Sequence, residues 1–259
     1  MNQEERRSYL IQYLLNEDSQ YEDISIPKNE LDQKKLLRAL MNVRIPKSIS
    51  NQFFTIQDAY LKEEIQSKGI VSIDDLDEIQ KDLYVWQGDI TTLQCDAIVN
   101  AANSQMLGCF CPNHGCIDNA IHTYAGIQLR LKMNEIMSLQ QTLEETGKAK
   151  ITSAYNLPCQ YILHTVGPIV RGVVTKKDKA DLKNCYTSCL ELAEKTGLKS
   201  IAFCCISTGE FHFPNDLAAQ IAIETVKEYK RKTSSEMKVI FNVFKSLDKQ
   251  IYTDLLGSD

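Results

Sequence analysis

The sequence predicts an α/β protein: a three-layer α/β/α sandwich with a mostly parallel or mixed sheet, preceded by a helical N-terminal extension. Three observations carry this. Before about residue 75 the apolar residues recur at helical spacing. From about Leu83 onward, short β-branched apolar runs alternate with longer helical patterns. One run, SIAFCCI, is apolar without interruption, as a strand covered on both faces is.

The extension reads as three helices. EERRSYLIQYLLNE stacks Leu10 over Leu14 and Ile11 over Leu15. Asn29 is placed to cap a second helix carrying Leu36, Leu37, Leu40 and Met41, which must end near Ile45-Pro46. A third passes through Phe53, Ile56, Tyr60 and Leu61 and stops at Gly69. No Gly/Ser-rich linker follows, so residues 1–78 are expected to dock on a main domain spanning 79–259. In that domain LYVWQGDI and DAIVNAAN read as strands, followed by one long helical stretch from about Ile117 to Gln141. KITSAYNL and YILHTVGPIV are two further strands, and a helix from Asp181 to Thr196 ends at Gly197. After SIAFCCI, a helix begins near Pro214-Asn215-Asp216; KVIFNVF and LDKQIYTDLL close the chain as strand and helix.

Composition sets bounds on function. The chain has 259 residues, 43% hydrophobic and 24% charged, with a formal net charge of −5, which suits a soluble protein and offers no basic footprint for nucleic acid or an anionic membrane. The opening MNQEERRSYLIQ lacks the apolar run of a secretory signal, and no apolar stretch is long enough to span a bilayer, so a cytoplasmic location is expected. Nine cysteines in such a setting argue against a disulfide framework. Cys95, Cys159, Cys185, Cys189, Cys204 and Cys205 sit among apolar residues and read as small buried hydrophobes.

In an open α/β sheet, ligands sit beyond the carboxyl ends of the strands. The three most informative stretches fall there: GDIT, NAANSQMLGCFCPNHGCIDNAIH and ISTGEFHFPND. The second packs Cys109, Cys111, Cys116 and His114 into eight positions. Cys109, His114 and Cys116 form C-x4-H-x-C, and thiolate with imidazole is the donor set that zinc favours. Three ligands leave a tetrahedral position open; a fourth from Cys111 would close the site and make it structural. Spacing alone also permits a cysteine-rich loop with no metal. Asp118 is either a helix-start carboxylate complementing the dipole or a general base beside the metal. Ser207, Thr208 and Gly209 offer hydroxyls and approachable N–H groups for a diphosphate, with Phe211 and Phe213 as an apolar wall for a sugar, or they form a plain turn. Asp89 is a turn cap or an acceptor for an exocyclic amine. Asn100 and Asn103 bond sugar hydroxyls or stitch the loop backbone, the latter being favoured for Asn100. His122 and His164 read as satisfied structural histidines.

Taken together, WQGDIT, DAIVNAANS, CIDNAIH and CISTGEFHFP, in this order and spacing, resemble the signature stretches of the macrodomain family, which binds ADP-ribose. Where many macrodomain hydrolases carry a run of glycines, this chain has CFCPNHGC. That departure resembles the zinc-containing branch, whose members also bear a helical N-terminal extension and remove mono-ADP-ribose from modified proteins. The resemblance implies zinc on Cys109, His114 and Cys116. It implies adenine held by Asp89 and the Ile90 backbone, and the distal ribose by Asn103, with Ile117 and Asp118 beside it. Ser207, Thr208, Gly209, Glu210 and Phe211 would form the diphosphate and distal-ribose loop, with Asp118 and Asn103 catalytic. It also implies mono-ADP-ribosylated protein as substrate and, as partners found with the branch in some bacteria, a lipoyl-carrying protein and a sirtuin-type transferase. A reader module that binds ADP-ribose without cleaving it, around a structural zinc, is the alternative.

Overall fold

The computed structural model describes residues 1–257. Three helices come first: α1 (Gln3–Leu15), α2 (Glu30–Val43) and α3 (Asn51–Lys68). Each starts on an extended residue whose side chain accepts a hydrogen bond from the first turn: Asn2, Asn29 and Ser50. Gly69, at φ +87°, ends α3. Two short strands that helical periodicity did not announce follow, β1 (Val71–Ser72) and β2 (Glu78–Gln80). Both are too brief for an alternation signal, and partner strands alone define them.

The remaining elements alternate: β3 (Leu83–Gln87), β4 (Leu93–Gln94), β5 (Ala97–Ala102), α4 (Ile117–Ala125), α5 (Ile127–Gln140), β6 (Ala149–Ser153), β7 (Tyr161–Val166), α6 (Lys176–Lys195), β8 (Ser200–Phe203), α7 (Asn215–Thr233), β9 (Lys238–Val243) and α8 (Ser246–Gly257). The expected long helix from Ile117 to Gln141 is in fact two helices, broken at Gly126 (φ +99°). A Cβ there would lie 2.6 Å from Gln128 Oε1 and 2.7 Å from Gln57 Nε2, so only glycine fits. Gln57 of α3 accepts the Ile127 N–H (2.9 Å) and so caps α5 from the extension.

The main sheet runs β2-β3-β9-β8-β5-β7-β6. Strands β3, β9, β8, β5 and β7 are parallel, with an antiparallel edge strand at each end. Strand β1 pairs separately with β4. Alternation along β7 shows two covered faces: His164 points to the side carrying Asn100 and α4, whereas Thr165 turns toward Cys185 of α6. The sandwich is therefore the three-layer mixed-sheet architecture expected. Among the described residues no helix is long and apolar enough to cross a membrane.

Two cores hold the chain. The larger surrounds the sheet and absorbs Cys95, Cys159, Cys185, Cys189 and Cys204, while Cys205 packs against it. The smaller joins α1, α2 and α3 through Leu10, Ile11, Leu14, Leu37, Leu40, Phe53 and Leu61, and it takes in Ile127 of α5. Arg130, on the next turn of α5, fixes the junction. Its Nη1 donates to the carbonyls of Met41 (3.0 Å), Asn42 (2.7 Å) and Arg44 (2.7 Å), the orphan acceptors at the end of α2. Its Nε donates to Leu107 O (2.7 Å), and its face lies 4.2 Å from the Phe110 ring centroid. Burial lowers this guanidinium to about 10, so it stays charged at neutral pH. Arg130→Met should destabilise the chain by on the order of 3 kcal/mol, because several buried carbonyls lose a charged donor. Urea unfolding measures this; a loss under about 0.5 kcal/mol, the range of ordinary surface substitutions, would remove Arg130 from this role.

Candidate active site

Because the central strands are parallel, their carboxyl ends share one edge of the sheet. Five loops meet there: Gly88–Asp89 after β3, Asn103–Cys116 after β5, Gly167 after β7, Cys204–Phe213 after β8, and Phe244 after β9. The three stretches singled out in the sequence lie together on this edge.

The loop after β5 turns by residues at positive φ, Met106 (+62°), Gly108 (+82°) and Asn113 (+54°). Gly108 is obligatory, since a Cβ would lie 2.7 Å from the His122 ring. The turns bring ligand atoms of Cys109, His114 and Cys116 within 4.8 Å of one another. Cys109 Sγ lies 3.7 Å from His114 Nδ1. Two donors at ordinary Zn–S and Zn–N lengths on one tetrahedral centre stand about 3.6 Å apart, so the spacing fits a shared cation. Cys111 is exposed and outside the cluster. Cys116 also serves as N-cap of α4, accepting from the Asn119 N–H at 3.5 Å. Burial pushes its thiol up to about 12, with Cys109 and Asp118 adding to the rise. A cation among the three donors reverses that balance, because the ligand form is the thiolate.

Asp118 follows in the first turn of α4 and is 4% exposed. Its Oδ1 accepts from Asn100 Nδ2 (2.8 Å) and its Oδ2 from Asn103 Nδ2 (3.3 Å). Burial raises its carboxyl to about 6, against the opposing pull of Asn100 and Arg130. Asn100 departs from the backbone-stitching role expected of it. Fully buried Asn100 makes no bond to the loop backbone and instead holds Asp118, with its Nδ2 3.2 Å from His164 Nδ1. Asn103 does the stitching, donating to Gly108 O (3.1 Å) and accepting from Gln105 N (3.0 Å) while it touches Asp118.

His164 is satisfied as expected, between Asn100 and Thr152 Oγ1 (2.9 Å). His122 is not: neither ring nitrogen has a partner, and Nε2 stands 3.6 Å from Asp118 Oδ1, too far for a hydrogen bond. Burial pushes both rings down, His164 to about 3, with His164 and Arg130 adding to the effect on His122. A histidine kept neutral in the fold but free to protonate when unfolded costs stability on acidification. For His164 the loss begins near pH 6.5 and runs toward pH 3, at up to about 1.4 kcal/mol per pH unit. Urea unfolding at pH 7 and pH 5 should show a smaller fall for His164→Gln than for the native chain; equal falls would mean the ring protonates freely in the fold.

After β8, Ser207 adopts φ +65°. Gly167 faces it closely; a Cβ there would stand 2.0 Å from Ser207 Oγ. The loop is pinned at its ends by Phe213 N→Ser207 O (2.9 Å) and Val170 N→Phe211 O (2.9 Å). The backbone N–H groups of Gly209, Glu210 and Phe211 have no carbonyl partner among the described residues. Such a row of free donors suits an anion. Phe213, expected as part of a sugar-facing wall, is 1% exposed and belongs to the core; Phe211 is half-buried. Glu210 reaches toward the metal cluster, its Oε1 3.6 Å from His114 Nε2.

At the other end, Asp89 caps the turn Ile90–Thr92, its Oδ1 accepting from Thr91 N (3.0 Å) and Thr91 Oγ1 (2.6 Å). Burial alone would raise this carboxyl, but Lys68 and Thr91 outweigh it and hold it below the ordinary value. Lys68, from the last turn of α3, donates to Asp89 Oδ2 (2.9 Å) and lies 3.4 Å from the Tyr124 ring centroid. Phe244 stands beside this turn, 77% exposed, with its carbonyl accepting from Gln87 Nε2 (3.2 Å). Sequence reading missed Lys68, Phe244 and the role of Asn100. The first two are ordinary last-turn and strand-end residues in sequence; the docking of α3 brings Lys68 to Asp89, and the β3–β9 pairing brings Phe244 beside Gly88.

Fold and site thus define a class: a mixed-sheet α/β domain with a cleft at the carboxyl edge. That cleft has Asp89 paired with Lys68 at one end, the 207–211 loop in the middle and the Cys-His-Cys cluster with buried Asp118 at the other. The Macro domain family model matches residues 99–222. The chain is 55% identical over 261 residues to a protein-ADP-ribose hydrolase of Treponema medium, covering 99% of this chain and 100% of that one. It is 48% identical over 256 residues to the protein-ADP-ribose hydrolase of Staphylococcus aureus (strain MRSA252), covering 98% and 96%. Among solved structures, a Trypanosoma brucei macrodomain in complex with ADP-ribose superposes with a TM-score of 0.66 at 29% identity, covering 85% of this chain and 95% of that one. The chain belongs to the Macro domain family.

Proposed function

We propose that this chain is a zinc-dependent hydrolase that removes mono-ADP-ribose from modified protein side chains and releases ADP-ribose. The observation that carries the reading is the buried Asp118 carboxylate, held by two asparagines immediately beside the three-donor cluster. A domain that only binds its ligand has no evident need of that pairing. The relatives named as protein-ADP-ribose hydrolases, matched over nearly their whole length, support it.

In this reading Asp89 and the Ile90 backbone receive adenine, and exposed Phe244 offers it a flat face. The 207–211 loop grips the diphosphate, and that remote binding energy orients the distal ribose. Asn103 and Ile117 line the ribose end next to Asp118. Cys109, His114 and Cys116 would hold zinc. When bound there, zinc would supply Lewis acidity beside Asp118 that eases proton loss. Asp118 takes a proton from the attacking water. The water oxygen bonds to C1 of the distal ribose, the bond from C1 to the protein side chain breaks, and the departing group takes up a proton. The sugar carries oxocarbenium-like charge at the transition state. Asn100 and Asn103 hold the Asp118 carboxylate in place for that proton transfer.

The grip of the loop has its own test. Gly167→Ala sets a methyl 2.0 Å from Ser207 Oγ and 2.8 Å from Ile206 Cγ2, so the side chains at the start of the loop must shift. ADP-ribose affinity by calorimetry should weaken at least about tenfold, or about 1.4 kcal/mol. Unchanged affinity would place the diphosphate elsewhere. The hydrolase reading itself is tested by incubating the chain with a mono-ADP-ribosylated protein and measuring free ADP-ribose.

A further inference from the structure

We propose that Arg38 of the N-terminal extension is a positioning residue of the Cys109–His114–Cys116 loop, so that α2 is a working part of the metal site. This rests on the metal reading given above. The Arg38 Nη2 donates to His114 O (3.0 Å) and to Asn119 Oδ1 (2.7 Å), and Nε donates to the same Oδ1 (3.1 Å). Asn119, fully buried, passes the restraint on. Its Nδ2 donates to Cys111 O (2.9 Å), and its backbone N–H points to Cys116 Sγ (3.5 Å). One guanidinium therefore ties the backbone of one ligand, the turn before it and the helix start that bears another.

One turn further along the same face of α2, Asn42 repeats the pattern. Its Oδ1 accepts from Asn113 N (3.0 Å), and its Nδ2 donates to Thr123 Oγ1 (3.0 Å) in α4. The loop has little of its own to hold it. It passes through left-handed conformations at Gly108 and Asn113 and closes on itself through His114 N→Cys111 O at 3.3 Å. Its geometry is set from outside, and groups that orient metal ligands from outside typically change metal affinity 10- to 100-fold when removed, on the order seen in other sites. Arginine suits the task because its planar fork serves two acceptors at fixed angles; lysine's point-like ammonium does not.

The test compares full-length native chain, Arg38→Ala, Arg38→Lys and Lys34→Ala. Lys34 lies one turn earlier on α2, pairs with Glu30 and Glu64 and touches nothing in the loop, so it controls for general loosening of the extension. Zinc affinity, by competition with a chromophoric chelator, should weaken by about 10- to 100-fold in Arg38→Ala, less in Arg38→Lys, and by under about twofold in Lys34→Ala. Hydrogen exchange on the metal-free chains should speed up at residues 111–119 in Arg38→Ala but not in Lys34→Ala. Native zinc affinity and native loop exchange in Arg38→Ala would overturn the proposal while leaving the metal reading intact. Should Arg38→Ala fail to fold, Arg38→Lys with native affinity and exchange would overturn it as well. A native chain that binds no zinc would overturn both.

Discussion

Asp118→Asn is expected to slow ADP-ribose release at least about a hundredfold, while ADP-ribose affinity stays within a few-fold of native. The side chain is buried and its orientation is fixed, because its two oxygens each receive a donor from a different asparagine. The substitution keeps volume and shape. It removes the negative charge and turns one acceptor into a donor that faces the amide of Asn100 or Asn103. A carboxylate serving only to complement the start of α4 would show its loss as a fall in stability of roughly 0.3–1 kcal/mol, with turnover kept. A carboxylate that takes the proton shows it as a fall in kcat at unchanged binding. Single-turnover release alongside calorimetry separates the two, and near-native release would remove Asp118 from the reaction.

Cys116→Ala is expected to have the second largest effect, because two functions meet at one sulfur. It is one of the three donors that lie within 4.8 Å of one another, and it caps α4. With two protein donors left, zinc content by elemental analysis should fall from one per chain to under about a tenth. ADP-ribose release should fall with it. Cys111→Ala is the matched control, since that thiol is exposed and outside the cluster; it should keep both zinc and activity. The opposite pattern, zinc kept without Cys116 and lost without Cys111, would place the cation on a different donor set. Equal loss in both variants would mean a closed four-ligand site, which binds for structure and leaves no position for the sugar.

The layers of the fold were legible because burial leaves periodic marks. Leu10, Ile11, Leu14 and Leu15 fall on one face of α1, and Ile201 to Phe203 form a strand hidden on both sides. The boundaries that escaped are those set by contacts distant in sequence. Gly126 splits the helix at 117–141 by its non-helical backbone (φ +99°), and the freed Ile127 N–H finds its acceptor in Gln57, about seventy residues earlier. The two-residue β1 exists only through β4.

The site follows the same division. The C-x4-H-x-C spacing of Cys109, His114 and Cys116 is local, and the loop folds so that the three meet. That Asn100 holds Asp118 was hidden, because VNAAN carries no sign that both its first and last amides will face α4. Phe213 was misread for a related reason. In STGEFHF two phenylalanines alternate, and nothing local in the sequence marks Phe213 as the one that enters the core. The contribution of the extension was invisible in sequence altogether. Arg38, Asn42 and Lys68 read as unremarkable helix-surface residues until α2 and α3 are seen against the two ends of the cleft.

The central claim, that the Cys109–Cys116 loop is the working end of a zinc-dependent ADP-ribosyl hydrolase, is tested most directly by one measurement. Free ADP-ribose released from a mono-ADP-ribosylated protein is followed with native chain, with chain stripped by a chelator, and with stripped chain given back zinc. The expected result is release by the native chain, its loss on stripping and its return with zinc, while ADP-ribose still binds the stripped chain through Asp89 and the 207–211 loop. Full release by verified metal-free chain would contradict the role of zinc. No release from several acceptor linkages by the zinc-loaded chain, with ADP-ribose binding intact, would make this a reader of ADP-ribosylation rather than an enzyme.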